Sequence, residues 1–239
     1  MENGMNDLDD KQILASWQKN VSPWIDAIQH KKIESRVQVT DRAIIEAVTS
    51  LTGGNATGKR VLDVGCGEGW LTRALIETGL SLTGVDAVQR LVDKAKALGE
   101  GDFYVLEYEK FSDKTVHQQY DIAVCNFSLI GNESVEHLFK VMPSILNEGG
   151  TFIIQTLNPH SGCGESSYVD GWREGSWDGF SQDFCDPAPW YFRTIESWVQ
   201  LFINNGFVLT AFREPINSRT GRPASLILAG KVLSLPVVA

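Results

Sequence analysis

The sequence predicts an α/β protein built on a doubly wound, mostly parallel sheet with an antiparallel pair of strands at its C-terminal edge. Between residues 60 and 156, short apolar runs alternate with helical patterns. The runs are apolar throughout rather than alternating, which is typical of parallel strands covered on both faces. The first run leads into a Gly-rich turn and a helix, as ligand-binding strands of such sheets do.

The N-terminal tract has helical rather than strand periodicity. Apolar residues recur at helical spacing through residues 8–50, and a third helical pattern follows Thr40. Ser22 followed by Pro23 predicts a helix start, with a cap and then Pro in the first turn. We therefore expect residues 1–55 to form a helical cover.

The tract 60–156 is the predicted core. Its strands are expected at residues 61–64, 82–85, 103–106, 122–125 and 152–155. Its helices are expected at residues 71–77, 91–98 and 135–146. Strand, helix, strand repetition of this kind indicates crossover connections in one parallel sheet.

The remaining chain divides into an insert, residues 157–193, and a final segment, residues 194–239. The insert carries many aromatic residues among Gly, Ser, Asp and Pro. A long loop of this kind is usually functional, although its aromatic residues can also form a satellite core. The final segment predicts a helix and then strands at 207–212 and 224–229 that pair antiparallel. We expect all four tracts to form one domain over residues 1–239.

Composition and charge narrow the class of partner. The formal charge is -9, from 21 basic and 30 acidic residues, which disfavours a nucleic-acid partner. No apolar run approaches the ~20 residues that span a bilayer, and the polar, acidic residues 1–10 are unlike a secretory signal. We expect a cytoplasmic protein that acts on a small molecule without membrane association; the oligomeric state stays open.

The cysteines predict neither a disulfide framework nor a metal site. They are scattered, with no Cys-x-x-Cys pair, at Cys66, Cys125, Cys163 and Cys185. Zinc and iron–sulfur sites need clustered ligands, so reduced thiols and no metal are expected.

The Gly-rich turn departs from the dinucleotide fingerprint. Its glycines are Gly65, Gly67 and Gly69, whereas a G-x-G-x-x-G motif would need glycine where Trp70 stands. Asp63 ends the preceding strand, and its carboxylate opposes a pyrophosphate but attracts an ammonium group. S-adenosylmethionine carries an ammonium and a sulfonium and no phosphate, so charge favours it over NAD.

A second acid marks nucleoside binding. Asp86 ends the next strand, about 20 residues past the glycines, where a carboxylate accepts both hydroxyls of a ribose. NAD enzymes share this feature, so it does not choose between the cofactors.

These segments resemble the class I S-adenosylmethionine-dependent methyltransferases, which have a Rossmann-like fold. VLDVGCGEGW and GVDA are similar to the first two motifs of that family. YDIAVCNFSLI, LNEGGTFIIQT and NNGFVLT resemble its fourth, fifth and sixth strands. Further segments, among them SWQKNVSPWIDAI, IESRVQVTD and WYFRTIESW, resemble bacterial small-molecule methyltransferases with a quinone-biosynthesis-type domain. The resemblance does not imply a quinone substrate.

The resemblance implies a set of cofactor contacts. Asp63 would hold the methionine ammonium, directly or through water, the three glycines would line the methionine and ribose, and Asp86 would bind the ribose diol. Glu107 stands where the family often has an Asp that contacts the adenine amino group. The full implied set is Asp63, Gly65, Cys66, Gly67, Gly69, Trp70, Asp86, Ala87, Glu107, Tyr108, Phe127 and Leu129.

Substrate and catalytic residues are expected beyond the carboxyl ends of the strands. His160, just past the fifth strand, is the candidate general base, with Tyr168 as a second candidate. The candidate substrate-binding residues are Trp17, Trp24, Trp172, Arg173, Tyr191 and Arg193. The two arginines suit a substrate carboxylate or phosphate, and structural pairing with acidic residues is the alternative.

The predicted function is methyl transfer from S-adenosylmethionine to an O or N atom of a small molecule. Two alternatives stay open. One is a regulator that binds the cofactor without turnover, and the other is an NAD-linked oxidoreductase, because fold does not fix function.

Overall fold

The computed structural model describes residues 8–116 and 118–233. The expectations for residues 1–7 and 234–239, including the polar N-terminus and both ends of the predicted domain, lie outside the described residues. The strands in chain order are β1 Arg60–Val64, β2 Ser81–Asp86, β3 Asp102–Val105, β4 Tyr120–Asn126, β5 Leu146–Leu157, β6 Gly171–Arg173, β7 Trp190–Phe192, β8 Phe207–Arg213, β9 Ile216–Asn217, β10 Arg222–Pro223 and β11 Ser225–Val232.

Helices flank the strands and form the N-terminal tract. They are α1 Asp10–Lys19, α2 Val21–Gln29, α3 Asp41–Ser50, α4 Trp70–Ile76, α5 Gln89–Leu98, α6 Glu133–Ile145, α7 Pro159–Gly162 and α8 Ile195–Asn204. A π-helical turn, Arg36–Thr40, leads into α3. None of the helices in the described ranges is long and apolar enough to cross a membrane.

Seven strands form one sheet in the order β3-β2-β1-β4-β5-β11-β8. The pairs from β3 to β5 are parallel, whereas β11 runs antiparallel to both β5 and β8. The predicted doubly wound class and the antiparallel C-terminal pair are both confirmed. The strand order reverses between β1 and β4, so their carboxyl ends flank the crevice where open α/β sheets bind ligands.

Both faces of the sheet are buried, which explains the unbroken apolar runs. In β1, Leu62 and Val64 belong to the core cluster on one face, together with Phe139 and Phe152. Val61 belongs to the cluster on the other face. Successive side chains of a strand point to opposite faces, so a strand covered on both sides has apolar residues on both faces, with the buried Asp63 as the exception in β1.

The predicted start of the second helix is wrong by two residues. Helix α2 begins at Val21, and the preceding Asn20 makes no side-chain capping bond, so Ser22 and Pro23 lie inside the first turn. Asn20 is fully buried, and its amide group instead bonds the backbone of Cys185, donating at 2.7 Å and accepting at 2.9 Å. These bonds join the N-terminal helices to the insert.

The insert contains a short antiparallel hairpin that the sequence did not predict. Strands β6 and β7 pair Gly171 with Phe192 and Arg173 with Trp190. Trp177, in the loop between them, contacts Trp17 of α1 edge to face, with ring centroids 5.9 Å apart. The insert and the N-terminal helices therefore form one continuous cover.

Candidate functional site

A cavity of about 880 Å³ lies at the carboxyl ends of β1, β2 and β4. Its wall on the sheet side includes Gly65, Asp86 and Asn126, which end or follow those strands. Trp17 of α1 and Trp177 of the insert line it from the cover. Three separate tracts of the chain thus meet around one space at the switch point of the sheet.

The glycine loop lets the backbone approach this cavity closely. Gly65 and Gly67 have φ angles of +75° and +58°, in the left-handed region that favours glycine. A Cβ atom on Gly65 would lie 2.3 Å from the Cβ of Ser128. Gly69 does not line the cavity. A Cβ atom there would meet the ring of Phe103 at 2.9 Å. The third glycine therefore packs behind the loop, and its predicted contact with methionine and ribose stays a prediction.

Asp86 is held in place by two backbone donors. Its two carboxylate oxygens accept hydrogen bonds from the N–H groups of Gly67, at 2.9 Å, and Val88, at 2.8 Å. Burial raises the pKa of this carboxyl, while the two backbone bonds act in the opposite direction. Each oxygen keeps a free lone pair, so the carboxylate can accept two hydroxyl groups from a ligand in the cavity.

Asp63 lies behind the loop and does not line the cavity. It is 1% exposed, and its Oδ2 accepts a hydrogen bond from the Thr72 hydroxyl at 2.8 Å. Burial raises the pKa of this carboxyl to about 7, opposed by the Thr72 bond. The predicted contact with a methionine ammonium, directly or through water, stays a prediction.

The other predicted cofactor contacts line the cavity together. Glu107 pairs with Lys110 at 2.8 Å, and the Tyr108 hydroxyl donates to the Ser128 carbonyl at 3.2 Å. Phe127 has a φ of +53°, an uncommon conformation for a residue with a side chain. The members of the predicted set that line the cavity are Gly65, Cys66, Gly67, Trp70, Asp86, Ala87, Glu107, Tyr108, Phe127 and Leu129.

Of the predicted substrate residues, Trp17, Trp24, Tyr191 and Arg193 line the cavity. Trp17 and Trp24 contact each other edge to face, with ring centroids 5.0 Å apart. The Arg193 guanidinium bonds other residues of the protein: it donates to the Gly131 carbonyl at 2.7 Å and to the Asn132 side-chain oxygen at 2.9 Å.

Trp172 and Arg173 lie outside the cavity lining. The Trp172 ring contacts Tyr191 edge to face, with ring centroids 5.6 Å apart. Arg173 donates to the carbonyls of Cys163 and Ser167 at 3.3 and 2.7 Å and lies over the ring of Phe192. Both residues contact other residues of the insert, and the bonds of Arg173 go to backbone carbonyls rather than to the acidic residues of the structural alternative.

The candidate base and its partner also lie outside the lining. His160 is exposed and stacks on Tyr168, with ring centroids 4.9 Å apart and planes 10° from parallel. The Tyr168 hydroxyl accepts a hydrogen bond from the Ile195 N–H at 3.0 Å, at the start of α8. Neither side chain lines the cavity, and the catalytic roles of His160 and Tyr168 stay predictions.

Several residues of the site were not predicted. Asp10 of α1 accepts hydrogen bonds from the N–H groups of Asn132 and Ser134, at 2.8 and 2.6 Å, and so fixes the cover to the start of α6. The other unpredicted lining residues include Arg36, Thr40, Asn126, Ser128, Trp177, Phe180, Trp190 and Phe192. The segment IESRVQVTD, which contains Arg36 and Thr40, carried a resemblance but no role.

Metal ligands do not converge at this site. Within residues 8–116 and 118–233, no three His, Cys, Asp or Glu side chains are grouped as a metal ion would require.

Comparison with curated proteins finds relatives over part of the chain. The ubiquinone biosynthesis O-methyltransferase of Coxiella burnetii is 33% identical over 104 residues, 42% of this chain and 44% of that protein. The protein of the same name from Idiomarina loihiensis is 31% identical over 125 residues, 48% of this chain and 51% of that protein. The chain thus spans about half the length of these curated relatives.

Solved structures share the fold. The magnesium protoporphyrin IX methyltransferase of Synechocystis with bound SAH superposes with a TM-score of 0.64 at 18% identity, over 94% of this chain and 100% of that chain. The glycopeptide N-methyltransferase MtfA, complexed with S-adenosyl-L-homocysteine, superposes with a TM-score of 0.60 at 13% identity, over 79% and 89% of the two chains.

A family model described as a methyltransferase domain matches residues 35–211, which include the glycine loop, Asp86 and the whole insert. The chain therefore belongs to this methyltransferase domain family.

Proposed function

We propose that this protein is an S-adenosylmethionine-dependent methyltransferase that methylates an O or N atom of a small molecule. The observation that carries the proposal is the placement of Asp86 against the glycine loop, facing a cavity that Glu107 also lines. Carboxylates there suit a ribose diol and a cationic sulfonium. They oppose the pyrophosphate of a dinucleotide.

The residues present fit this cofactor. The positive φ angles of Gly65 and Gly67 leave a wall without side chains, against which a flexible methionine chain can lie. Asp86 offers two acceptor oxygens for the ribose, and Tyr108, Phe127 and Leu129 supply apolar surface for a purine ring. When bound, the cofactor supplies an electrophilic methyl group on a positively charged sulfur.

The chain's own contribution to transfer is alignment and exclusion of water. Methyl transfer is an in-line displacement, so the acceptor atom must be held opposite the sulfur. Trp17, Trp24 and Trp177 line the cavity on the cover side with apolar surface. When the cofactor and the acceptor fill the cavity, apolar walls exclude water from the reacting atoms, which favours transfer to the acceptor over side reactions with water.

The aromatic cover also supports an acceptor with an apolar or planar body. Trp190, Tyr191 and Phe192 of β7 line the cavity with the tryptophans of the cover. Ligand sites lined by aromatic side chains with few polar groups bind molecules of this class. The net charge of -9 supports a metabolite rather than a nucleic acid as acceptor, and we propose a cytoplasmic, single-domain protein.

Cofactor binding tests the proposal. We expect calorimetry to give micromolar affinity for S-adenosylhomocysteine and no measurable affinity for NAD. Asp86→Ala should weaken S-adenosylhomocysteine at least about tenfold, because it removes two charge-assisted acceptors. Asp93→Ala, which removes an exposed carboxylate on α5, is the matched control and should change nothing. Preferential binding of NAD by the unaltered protein would overturn the proposal.

Turnover is tested separately from binding. The protein is incubated with S-adenosylmethionine labelled in the methyl group and a low-molecular-weight metabolite extract. We expect label to appear in a small product with the unaltered protein and not with Asp86→Ala. Tight binding of S-adenosylhomocysteine without transfer to any fraction would instead favour a regulator that binds the cofactor.

A further inference from the structure

An amide side chain stands at the end of β4, between two parts of the cavity wall. Asn126 is the last residue of β4, is half-buried and lines the cavity. Val64 pairs with Cys125, so the residues that follow them, Gly65 and Asn126, lie side by side at the switch point. On its other side, Asn126 pairs with Gln155 of β5, the strand that leads into the insert. Asn126 therefore lies where the glycine loop and the insert side of the cavity meet.

The orientation of this amide is fixed by its neighbour. Gln155 is 1% exposed, and its Nε2 donates to the Thr40 carbonyl at 3.0 Å and to the Asn126 Oδ1 at 2.9 Å. A carbonyl can only accept, so Thr40 determines which end of the Gln155 amide carries the N–H groups. Gln155 in turn requires an oxygen from Asn126. The Asn126 Nδ2, which no group in residues 8–116 and 118–233 bonds, is then the atom that faces the cavity.

The backbone after Asn126 is held by the same glutamine. Phe127 has a φ of +53°, and its N–H donates to the Gln155 carbonyl at 2.8 Å. A left-handed conformation at a residue with a side chain costs free energy, and such residues cluster at ligand sites, where the surrounding structure holds them. Gln155 thus fixes both the side chain of Asn126 and the backbone of the next residue. The Nδ2 donor therefore has a defined position in the cavity wall.

Two charged side chains that also line the cavity bond the protein backbone instead. Both carboxylate oxygens of Asp10 accept from N–H groups at the start of α6. The Arg193 guanidinium donates to the carbonyls of Gly131 and Asn132. Each of these groups stabilises the segment before α6, whereas the two N–H groups of the Asn126 Nδ2 are available to a ligand.

A donor at this position discriminates between methyl acceptors. A hydroxyl, phenolate or carboxylate oxygen has more than one lone pair, so it can accept an N–H from Asn126 and still attack with another lone pair. A neutral amine has a single lone pair, and an N–H bonded to it blocks the attack. A hydrogen bond to an oxygen that carries negative charge is also stronger than one to a neutral atom. The free donor therefore favours oxygen over nitrogen as the acceptor atom.

We infer that Asn126 binds the methyl-accepting atom and that this atom is an oxygen, an inference that rests on the proposed function. The acceptor releases its proton to solvent and binds as an oxyanion, with one lone pair on an Asn126 N–H. Another lone pair forms the O–C bond while the S–C bond breaks. The electron pair of the S–C bond goes to the sulfur, which becomes neutral, so the products are a methylated oxygen and S-adenosylhomocysteine.

The test identifies the atom that carries the methyl group. The protein is incubated with S-adenosylmethionine labelled with carbon-13 in the methyl group and a low-molecular-weight metabolite extract. Carbon–proton correlation NMR of the products distinguishes O–CH3 from N–CH3, and we expect O–CH3. Mild alkali then separates the two sources of an oxyanion, because it hydrolyses the methyl ester of a carboxylate and leaves the methyl ether of a phenol intact. An N–CH3 product made by the unaltered protein would overturn the inference.

Asn126→Asp tests the role of the donor. The carboxylate has nearly the same shape and still accepts from Gln155, but it cannot donate and it repels an oxyanion. We expect the initial rate of O–CH3 formation to fall at least about tenfold, while calorimetry shows S-adenosylhomocysteine affinity weakened by no more than about twofold. Asn126→Leu removes the donor without adding a charge and should give the same pattern. Asn204→Asp changes an exposed asparagine of α8 and should alter neither quantity.

The possible outcomes separate the inference from the proposed function. An unchanged rate of O–CH3 formation in both Asn126 variants would overturn the inference alone. A loss of S-adenosylhomocysteine affinity as large as the loss of rate in both variants would also overturn it, because Asn126 would then act on the cofactor. If the unaltered protein formed no labelled product, the proposed methyl transfer would fail, and the inference would fail with it.

Discussion

At the scale of single residues, the two cavity-facing glycines of the loop have different surroundings. A Cβ on Gly65 would lie 2.3 Å from Ser128 Cβ and 2.7 Å from the Tyr108 hydroxyl, in the middle of the site. A Cβ on Gly67 would meet only the Trp24 indole nitrogen, at 3.6 Å. Both residues have positive φ, so alanine at either position is strained, but only at Gly65 is the space already filled.

We therefore expect Gly65→Ala to be much more damaging than Gly67→Ala. Gly67→Ala should lose about 1–2 kcal/mol of unfolding free energy from its left-handed backbone. Gly65→Ala should lose the same amount and a further amount of unfolding free energy, because the new methyl group displaces Ser128 and Tyr108. We also expect this variant not to bind S-adenosylhomocysteine. Urea unfolding and calorimetry on the two variants check this order. Equal losses in both measurements would contradict it.

Asp63 gives the protein a pH-dependent stability. Burial raises its pKa from the ordinary value of 3.8 to about 7 in the folded chain. The folded state then holds a proton that the unfolded state has released. The contribution of Asp63 to the unfolding free energy is therefore complete below about pH 4 and is lost as the pH rises through 7. The loss is at most about 1.4 kcal/mol per pH unit for one proton.

Asp63→Asn is the variant that isolates this effect. Asparagine is neutral, has nearly the same shape and can still accept the Thr72 hydrogen bond. We expect the unfolding free energy of the variant, relative to the unaltered protein, to increase from pH 4 to pH 7 and to level off above. Urea unfolding at a series of pH values measures the difference. A constant difference across that range would show that Asp63 is ionised in the folded state.

At the scale of elements, the buried side chain of Asn20 connects the N-terminal helices to the insert. Asn20 bonds the backbone of Cys185 twice, and Ser16 donates to the Asp186 carbonyl at 2.5 Å. Lys19 reaches the same segment through an ion pair with Asp186 at 2.6 Å, but both side chains are more than half exposed. The buried amide, rather than the charged pair, should hold the insert on the helices.

Asn20→Ala should therefore cost roughly 2 kcal/mol or more of unfolding free energy, because it leaves buried polar groups without partners. Lys19→Ala should cost about 0–1 kcal/mol, as exposed ion pairs do. Parallel urea titrations compare the two variants. If Lys19→Ala proved as costly as Asn20→Ala, the ion pair and not the amide would be the main link.

Elements with strong local patterns were predictable, and the short ones were not. The buried strands β1 to β4 were expected within two residues of their bounds, because runs of apolar residues between turns are a local signal. Strand β5 begins at Leu146, six residues before its predicted start, because Leu146 pairs with Tyr120 ahead of an irregularity that contains Gly149, whose φ is +69°. The three-residue strands β6 and β7 are too short for a periodicity.

The residues of the site also divide into those that a local sequence motif predicts and those that it does not. Gly65, Gly67 and Asp86 belong to one strand–turn–helix unit and the strand after it, so the motif predicts both their chemistry and their position. Arg36 reaches the cavity through tertiary packing, and the resemblance of its segment assigned it no role. Ser128 stands between Phe127 and Leu129, two implied cofactor contacts, but no motif marks Ser128 itself. His160 follows the fifth strand as a base would, yet the short helix α7 leaves it exposed.

At the scale of the whole molecule, the cavity joins tracts that are far apart in the chain. Residues of α1, of the glycine loop and of the insert line one space, so we expect a ligand that fills this space to contact all three tracts. A ligand that binds only the folded chain stabilises it by about 2.7 kcal/mol at one hundred times its dissociation constant. For a chain of this size, that corresponds to an increase in Tm of roughly 5–10 °C.

We therefore expect S-adenosylhomocysteine to raise the Tm by this amount and to slow hydrogen exchange in all three tracts. The protected segments should be α1 and α2, the loop at residues 65–70, and residues 177–193 of the insert. NAD at the same concentration is the control and should change neither quantity. Protection confined to the loop and the strand ends would mean that the cover does not close on the cofactor. The aromatic residues of β7 and of the cover would then contact only the methyl acceptor.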